Sequence, residues 1–527
     1  MRAFADLLDQ LSNAPRRNDK LALMAAYFRT TPDPDRGWAL AALTDGLPVR
    51  LPLRRILQDL MAENCDPVLY RLSRDFVGDT AETVSLMWPE ISNRPEVRSL
   101  ADVVSKVMNA SRPELPGVIG QLLDGITVRE RWAFLKLIGG AARVGVSAKL
   151  AKTALATAFN QDLTEIEEIW HGLKPPYRQL FAWSEGRAPR PDVGETALFR
   201  PMMLALALED DDVDAFPVHE FAAEWKWDGI RVQIAAGGGV ARVFSRTGDD
   251  IGPAFPDVAA AFSSQSVVVD GELLVARDGE IASFSDLQQR LNRRDVNAAH
   301  MHKFPAFVRL YDLLLLESAD LRPLAFTERR RRLEIWHSAA RPPATDLSPL
   351  LSFQSMDDLS KLRAGARAAA IEGIMFKRKD SAYIAGRPKG YWFKWKRDAL
   401  TLDCVLMYAQ RGSGKRSSYY SDYTFGVWRD VAGQRELVPI GKAYSGFTDE
   451  ELRELDRFVR QNTLEQFGPV RSVKGSLVLE IAFDAIQPSK RHKSGLAMRF
   501  PRIRRIRWDK PAAEADTLAT ALKLQLP

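Results

Sequence analysis

Three hydrophobic rhythms follow one another along the chain. From residue 1 to about 198, apolar positions recur at spacings of three and four, as in Phe4, Leu7, Leu8 and Leu11, and again in Trp132, Leu135 and Ile138. Such spacing lines up one stripe of a helix and predicts an all-helical region. Pro113 and Pro116 break it into segments, and the Pro-rich, charged stretch from Pro175-Pro176 to Pro191 reads as a linker. From 199 to 400 the runs shorten: Val267 to Val275 and Phe307 to Leu314 are strand-like, with helical segments at Phe284 to Leu291 and Thr327 to Trp336. This alternation predicts an α+β region. Gly237-Gly-Gly239 lies between two strand-like runs and reads as a hairpin turn. From 401 to 527 strands dominate, at Leu402 to Tyr408, Tyr423 to Trp428 and Leu477 to Phe483, with one helix over Asp449 to Asn462. A small β-barrel with an inserted helix fits that order.

Composition adds bounds. The 527 residues are 46% hydrophobic and 27% charged, ordinary for a globular protein and ample for several cores. The net charge of +6 permits a polyanionic partner without establishing one. Cys65 and Cys404 stand far apart, which excludes a disulfide scaffold and a four-cysteine zinc ribbon and suits a reducing compartment. Asp6 and Asp9 interrupt the first apolar stretch, so it makes a poor signal peptide, and no run approaches the ~20 apolar residues of a membrane helix. A soluble cytoplasmic protein is expected. His300 and His302 read as surface residues, and the acidic run Glu209 to Asp214 as a solvated loop.

The chemistry begins at Glu224-Trp-Lys-Trp-Asp-Gly-Ile-Arg231. Gly229 permits a tight turn that lets Lys226 end a strand and project into a cleft. Flanking tryptophans are expected to strip water from the lysine, favouring its nucleophilic neutral amine. Further strings follow in order: Asp270-Gly-Glu272, Glu372-Gly-Ile-Met-Phe-Lys377, Trp392-Phe-Lys394-Trp-Lys396, and the arginine-dense run from Arg499 to Lys510. Lys394 and Lys396 are two apart and share a strand face. Arg411-Gly-Ser-Gly-Lys415 lacks the spacing of a P-loop, with Ala409 and Arg416 at the wrong places, and reads as a basic loop.

As an ordered set, Lys226-Trp-Asp-Gly229, Ser245-Arg-Thr-Gly248, Asp270-Gly-Glu272, Leu310-Tyr-Asp312, Glu372-Gly-Ile374, Trp392 to Lys396 and the run from Arg499 resemble the motifs of the ATP-dependent DNA ligases, within the covalent nucleotidyltransferases. The resemblance implies a helical DNA-binding domain (1–198), an adenylation domain (199–400) and a C-terminal OB-fold barrel (401–527). It implies sealing of nicks with 3′-hydroxyl and 5′-phosphate ends, through a lysyl–AMP on Lys226 and an adenylylated DNA 5′ end. In that scheme Glu224 reads the adenine amino group, Tyr311 stacks on the base, and Arg231 and Arg246 hold ribose or the 5′-phosphate. Glu272 contacts ribose and, with Glu372, Mg²⁺. Lys394 and Lys396 neutralise the α-phosphate, and Arg502 and Lys510 engage the pyrophosphate. Arg387 sits beside the nucleotide, although Pro388 replaces an arginine common in the family. Gly140 to Lys152 is similar to a backbone-contacting segment: Gly145 and Ser147 open a helix for a phosphate, with Arg143, Lys149 and Lys152 nearby. ATP, Mg²⁺ and nicked duplex DNA are the implied ligands of a monomer, and Asp398 to Asp403 is the expected hinge. The rival readings are an RNA-end ligase or capping-type enzyme, and a non-catalytic nick-binding protein.

Overall fold

The structure, a computed structural model, describes every residue except 50, 92–98, 141, 194–196, 283, 292, 294–295, 367–370, 413–417, 432 and 526–527. The basic loop expected at Arg411 to Lys415 therefore lies largely outside the described residues. Two compact units emerge, one of residues 1–166, 173–191 and 400–525, the other of 167–172 and 192–399.

In the first unit the N-terminal part is helical. The helix Arg2–Asn13 buries Phe4, Leu7, Leu8 and Leu11, the predicted stripe. Val128–Ile138 opens on a capping box between Thr127 and Glu130, which satisfies two of the amides that a helix start leaves bare. The Pro-rich stretch ends at Pro191, where the first unit gives way to the second, but it is folded and not an open linker. It carries a helix, Arg178–Ser184, that buries Leu180 and Phe181. Arg36 lies 4.3 Å over the Phe181 ring and pairs with Glu185 at 2.5 Å. Apolar side chains within the stretch outweigh its prolines and tie it to the helices. Among the described residues, no helix is long and apolar enough to cross a membrane.

The C-terminal part is a curled sheet of the OB-fold type. The long strand Leu400–Arg411 pairs with Val478–Phe483 along its first half and with Tyr420–Val431 and Val470–Val473 along its second. Leu402, Phe425, Val427, Ile440, Leu479 and Ile481 fill the interior. The helix Asp449–Gln461 starts on a Thr448–Glu451 capping box and buries Leu452, Leu455 and Val459. The barrel already begins at Leu400, with Asp403 bonded to Lys510 and to Asp516, so only Asp398 and Ala399 of the expected hinge lie outside a strand.

The second unit holds two sheets. One runs Val240–Ser245, Ile230–Gly237, Val267–Arg277, Ala306–Leu316; the other runs Leu206–Ala207, Trp392–Lys396, Ile371–Arg378, Phe221–Trp227. The glycine triple makes the predicted hairpin, with Gly238 and Gly239 at positive φ between Gly237 and Val240. Val267, Val269, Leu273 and Val275 pack with Phe262, Leu333 and Trp336, the last two from the helix Phe326–Ala340. The Lys226 strand and the Arg231 strand are joined by Asp228-Gly229 alone, yet they belong to different sheets. Gly229 is required there by close approach, since a Cβ would lie 2.4 Å from the Leu273 carbonyl oxygen.

Candidate active site

Two cross-strand rows build the centre. Glu224 faces Met375, which faces Lys394; Lys226 faces Gly373, which faces Lys396. Gly373, at the middle of the lysine row, sits so near the next strand that a Cβ would lie 2.2 Å from the Trp395 carbonyl oxygen. Glu372 Oε2 receives both cations, 2.5 Å from Lys226 Nζ and 3.4 Å from Lys396 Nζ. Burial pushes the Glu372 carboxyl up, but Lys226 and Lys396 overcome this and hold it at about 2.

The neighbouring sheet supplies a second carboxylate. Glu272 accepts a hydrogen bond from the Gly229 amide at 3.2 Å. Burial, reinforced by Glu372 and opposed by Lys226 and Arg231, pushes it up to about 7. Lys226 thus lies within the field of two acids, one firmly ionised and one titrating near neutrality, the arrangement by which sites divide acid and base roles. The flanking tryptophans do not enclose the lysine as expected. Strand neighbours project to the opposite face, and Trp227 packs there against Arg309 and donates to Ser348 Oγ.

The other expected residues divide into those gathered here and those held elsewhere. The Lys394 ammonium is lowered by burial and then by Lys396, Lys226, Arg387 and Arg246, so these cations act on one point. Arg246 and Arg387 are exposed, on the turn that Gly248 closes and next to Gly386. Tyr311 is 9% exposed, its ring near Arg231 and Lys377. Arg231 is committed within the protein, donating to the Met203 carbonyl at 2.6 Å and to Asp270 at 2.7 Å, with Tyr383 donating to the same Asp270 oxygen at 2.6 Å. In the barrel, Arg502 meets Asp484 at 3.3 Å and Lys510 meets Asp403 at 2.7 Å. Among the helices, Ser147 caps Ala148–Phe159 by accepting from the Leu150 amide. Arg143 and Lys149 are exposed there, whereas Lys152 is 5% exposed and is not presented to solvent. The acidic run is exposed as expected, with Asp210 also accepting from Trp395 Nε1 at 2.9 Å.

Lys377 and Asp270 stand in the motif strings, but the sequence reading gave neither a role. Lys377 lies 2.9 Å from Glu224, and both side chains are 2% exposed. The available signal was an ionisable residue at an inward position of an apolar strand, Glu224 after Phe221-Ala-Ala and Lys377 after Ile-Met-Phe, which demands a partner.

Comparisons with known proteins bear on the whole arrangement. Residues 202–396 match the ATP dependent DNA ligase domain and residues 416–510 the ATP dependent DNA ligase C terminal region. A probable DNA ligase of Koribacter versatilis is 35% identical over 429 residues, covering 77% of this chain and 73% of that protein. The chain belongs to the ATP-dependent DNA ligases. DNA ligase 1 of Korarchaeum cryptofilum is 28% identical over 544 residues, 98% of this ligase and 97% of its own length. The solved structure of Pmar-Lig_PreS3 shares the fold, with a TM-score of 0.60 at 17% identity over 96% of this ligase and 99% of that chain. The motifs around Lys226 therefore belong to an enzyme that joins DNA at the expense of ATP, and the RNA-end and non-catalytic readings are not favoured.

Proposed function

We propose that this ligase seals nicks in duplex DNA as a monomer in the cytoplasm, with Lys226 as its nucleophile. The observation that carries the reading is Lys226 Nζ at 2.5 Å from Glu372, beside Lys394 and Lys396. Lys226 Nζ bonds to the α-phosphorus of ATP as the bond to the bridging oxygen breaks and pyrophosphate leaves. A 5′-phosphate oxygen of the nick then attacks the same phosphorus, and the lysine departs. Finally the 3′-hydroxyl oxygen attacks the 5′-phosphorus and AMP leaves. Every step is phosphoryl transfer, in which positioning and charge neutralisation dominate. Lys394 and Lys396 meet the α-phosphate oxygens, aided by Arg246 and Arg387. Tyr311 stacks on the base and Glu224 accepts from its amino group. Arg231, through its bonds to Asp270 and Met203, positions the ribose wall. Arg502 and Lys510 engage the pyrophosphate, which requires breaking their pairs with Asp484 and Asp403. Arg143 and Lys149 hold the DNA backbone at the Ser147 helix start. The three bodies are 1–198, 199–400 and 401–527.

Glu272 and Glu372 suit Mg²⁺: they are hard-oxygen donors close enough that Glu372 raises the Glu272 carboxyl, a repulsion that a cation removes. Among the described residues no group of three His, Cys, Asp or Glu is placed to hold a metal, so these two carboxylates would hold the ion together with ligands from the nucleotide or solvent. When bound, the ion would supply charge neutralisation on the phosphates.

Nicked DNA and nicked RNA offered with ATP, GTP or NAD⁺ test the reading. Sealing of nicked DNA with ATP, abolished by Lys226→Ala, is expected. A Lys226→Ala protein that still takes label from α-labelled ATP contradicts it.

A further inference from the structure

Glu224, two residues before Lys226 on the same strand, and Lys377, on the neighbouring strand, form a buried ion pair on the sheet face that carries Lys226. Lys377 Nζ stands 2.9 Å from Glu224 Oε1, donates to the Tyr311 carbonyl at 3.2 Å, and lies over the rings of Tyr311, Trp392 and Phe326 at 4.3, 4.8 and 5.0 Å. Both side chains are 2% exposed. An ammonium here is costly: burial lowers the Lys377 amine, with Glu224 and Asp312 opposing. Replacing such pairs by apolar residues is often neutral or stabilising, so stability does not account for one.

Its position does. The Lys377 strand pairs with the Glu224 strand on one side and with the Lys394 strand on the other, so the pair lies in the same wall as the lysines around Lys226. A carboxylate kept ionised accepts hydrogen bonds and donates none. It matches the 6-amino group of adenine and opposes the 6-oxygen of guanine, another acceptor. Without Lys377 the buried carboxylate loses the cation 2.9 Å away that holds it as an acceptor in this place.

We infer that Lys377 is a specificity-determining positioning residue, which holds Glu224 as a charged acceptor and thereby selects a 6-aminopurine over other purine nucleotides. The inference deepens the reading of Glu224 as the adenine-sensing group and rests on it.

The test uses the full chain and label transfer to protein from α-labelled ATP, GTP and purine riboside triphosphate, which lacks the 6-amino group. Sites built around a hydrogen bond reject the analogue lacking it, so the wild type should favour ATP over that analogue by tenfold or more, to order of magnitude. Lys377→Met should raise KM for ATP about as much, with kcat and the constants for the analogue little changed. Lys377→Arg should retain most of the preference. Glu224→Met, which has no acceptor oxygen, should remove it, and adding Lys377→Met to Glu224→Met should cost nothing further in that ratio. This charge-free pair also serves if Lys377→Met alone does not fold. Equal losses for ATP and analogue in Lys377→Met would mark a structural residue and overturn the proposal. So would an unchanged preference in Lys377→Met where Glu224→Met has lost it. A preference that survives Glu224→Met overturns the reading of Glu224 itself, and the inference falls with it.

Discussion

At the scale of the residue, the site is defined by two glutamates with opposite fates beside one lysine. Glu272 is pushed up to about 7, chiefly by burial. A carboxyl with a raised folded pKa favours the folded state while protonated, and that stability is lost as pH rises from its ordinary range through 7. The shift is worth roughly 2 kcal/mol once partial exposure is allowed for. Glu272→Gln should therefore melt higher than wild type at pH 8 in the nucleotide-free enzyme, with the gap closing towards pH 5; a gap that does not change with pH would refute the assignment. Glu372, held at about 2, works in the opposite sense, and its contribution is lost only as pH falls through the range below its ordinary value. The two windows do not overlap, so one melting series separates them.

At the scale of the element, Gly373 lets three strands close around Lys226. It faces Lys226 on one side and Lys396 on the other, with the Trp395 carbonyl where a Cβ would stand. Gly373→Ala must part the strands that aim both lysines. A cost of roughly 2–4 kcal/mol is expected, with label transfer from ATP falling together with stability; an unshifted melting temperature would contradict the packing. Elements of this kind were legible where periodicity is strong, as in Arg2–Asn13, Val267–Arg277 and the capped helix Asp449–Gln461. Motif residues on adjoining strands, such as Lys226, Glu372 and Lys396, could be named because their order is distinctive. What stayed hidden depends on which strands adjoin. The partner of Glu224 lies 153 positions away on a neighbouring strand, and although each residue signals a need for a partner, nothing in the sequence says that the two meet. The tryptophans beside Lys226 misled because adjacency in the chain is opposition in a strand. The Pro-rich stretch misled because proline marks breaks without showing what the side chains between them bury.

At the scale of the whole molecule, the modest net charge conceals a basic strip in the barrel. In the strand Arg502–Arg507, Ile503 and Ile506 point inward while Arg502, Arg504 and Arg505 are exposed. Lys490, Arg491 and Lys493 are exposed beside the strand Leu496–Arg499. Each phosphate neutralised contributes about −0.9 to the slope of log affinity against log salt. Replacing Lys490, Arg491 and Lys493 by alanine should flatten that slope by roughly two to three in nicked-DNA binding. An unaltered slope would remove this strip from the DNA surface. The proposed covalent bond at Lys226 joins this scale to the first. The most direct measurement is peptide mapping by mass spectrometry after incubation with ATP and no DNA. One AMP, labile to acid, is predicted on the peptide carrying Lys226 and nowhere else; AMP on another residue, or none on a folded protein that still seals nicks, would contradict the account.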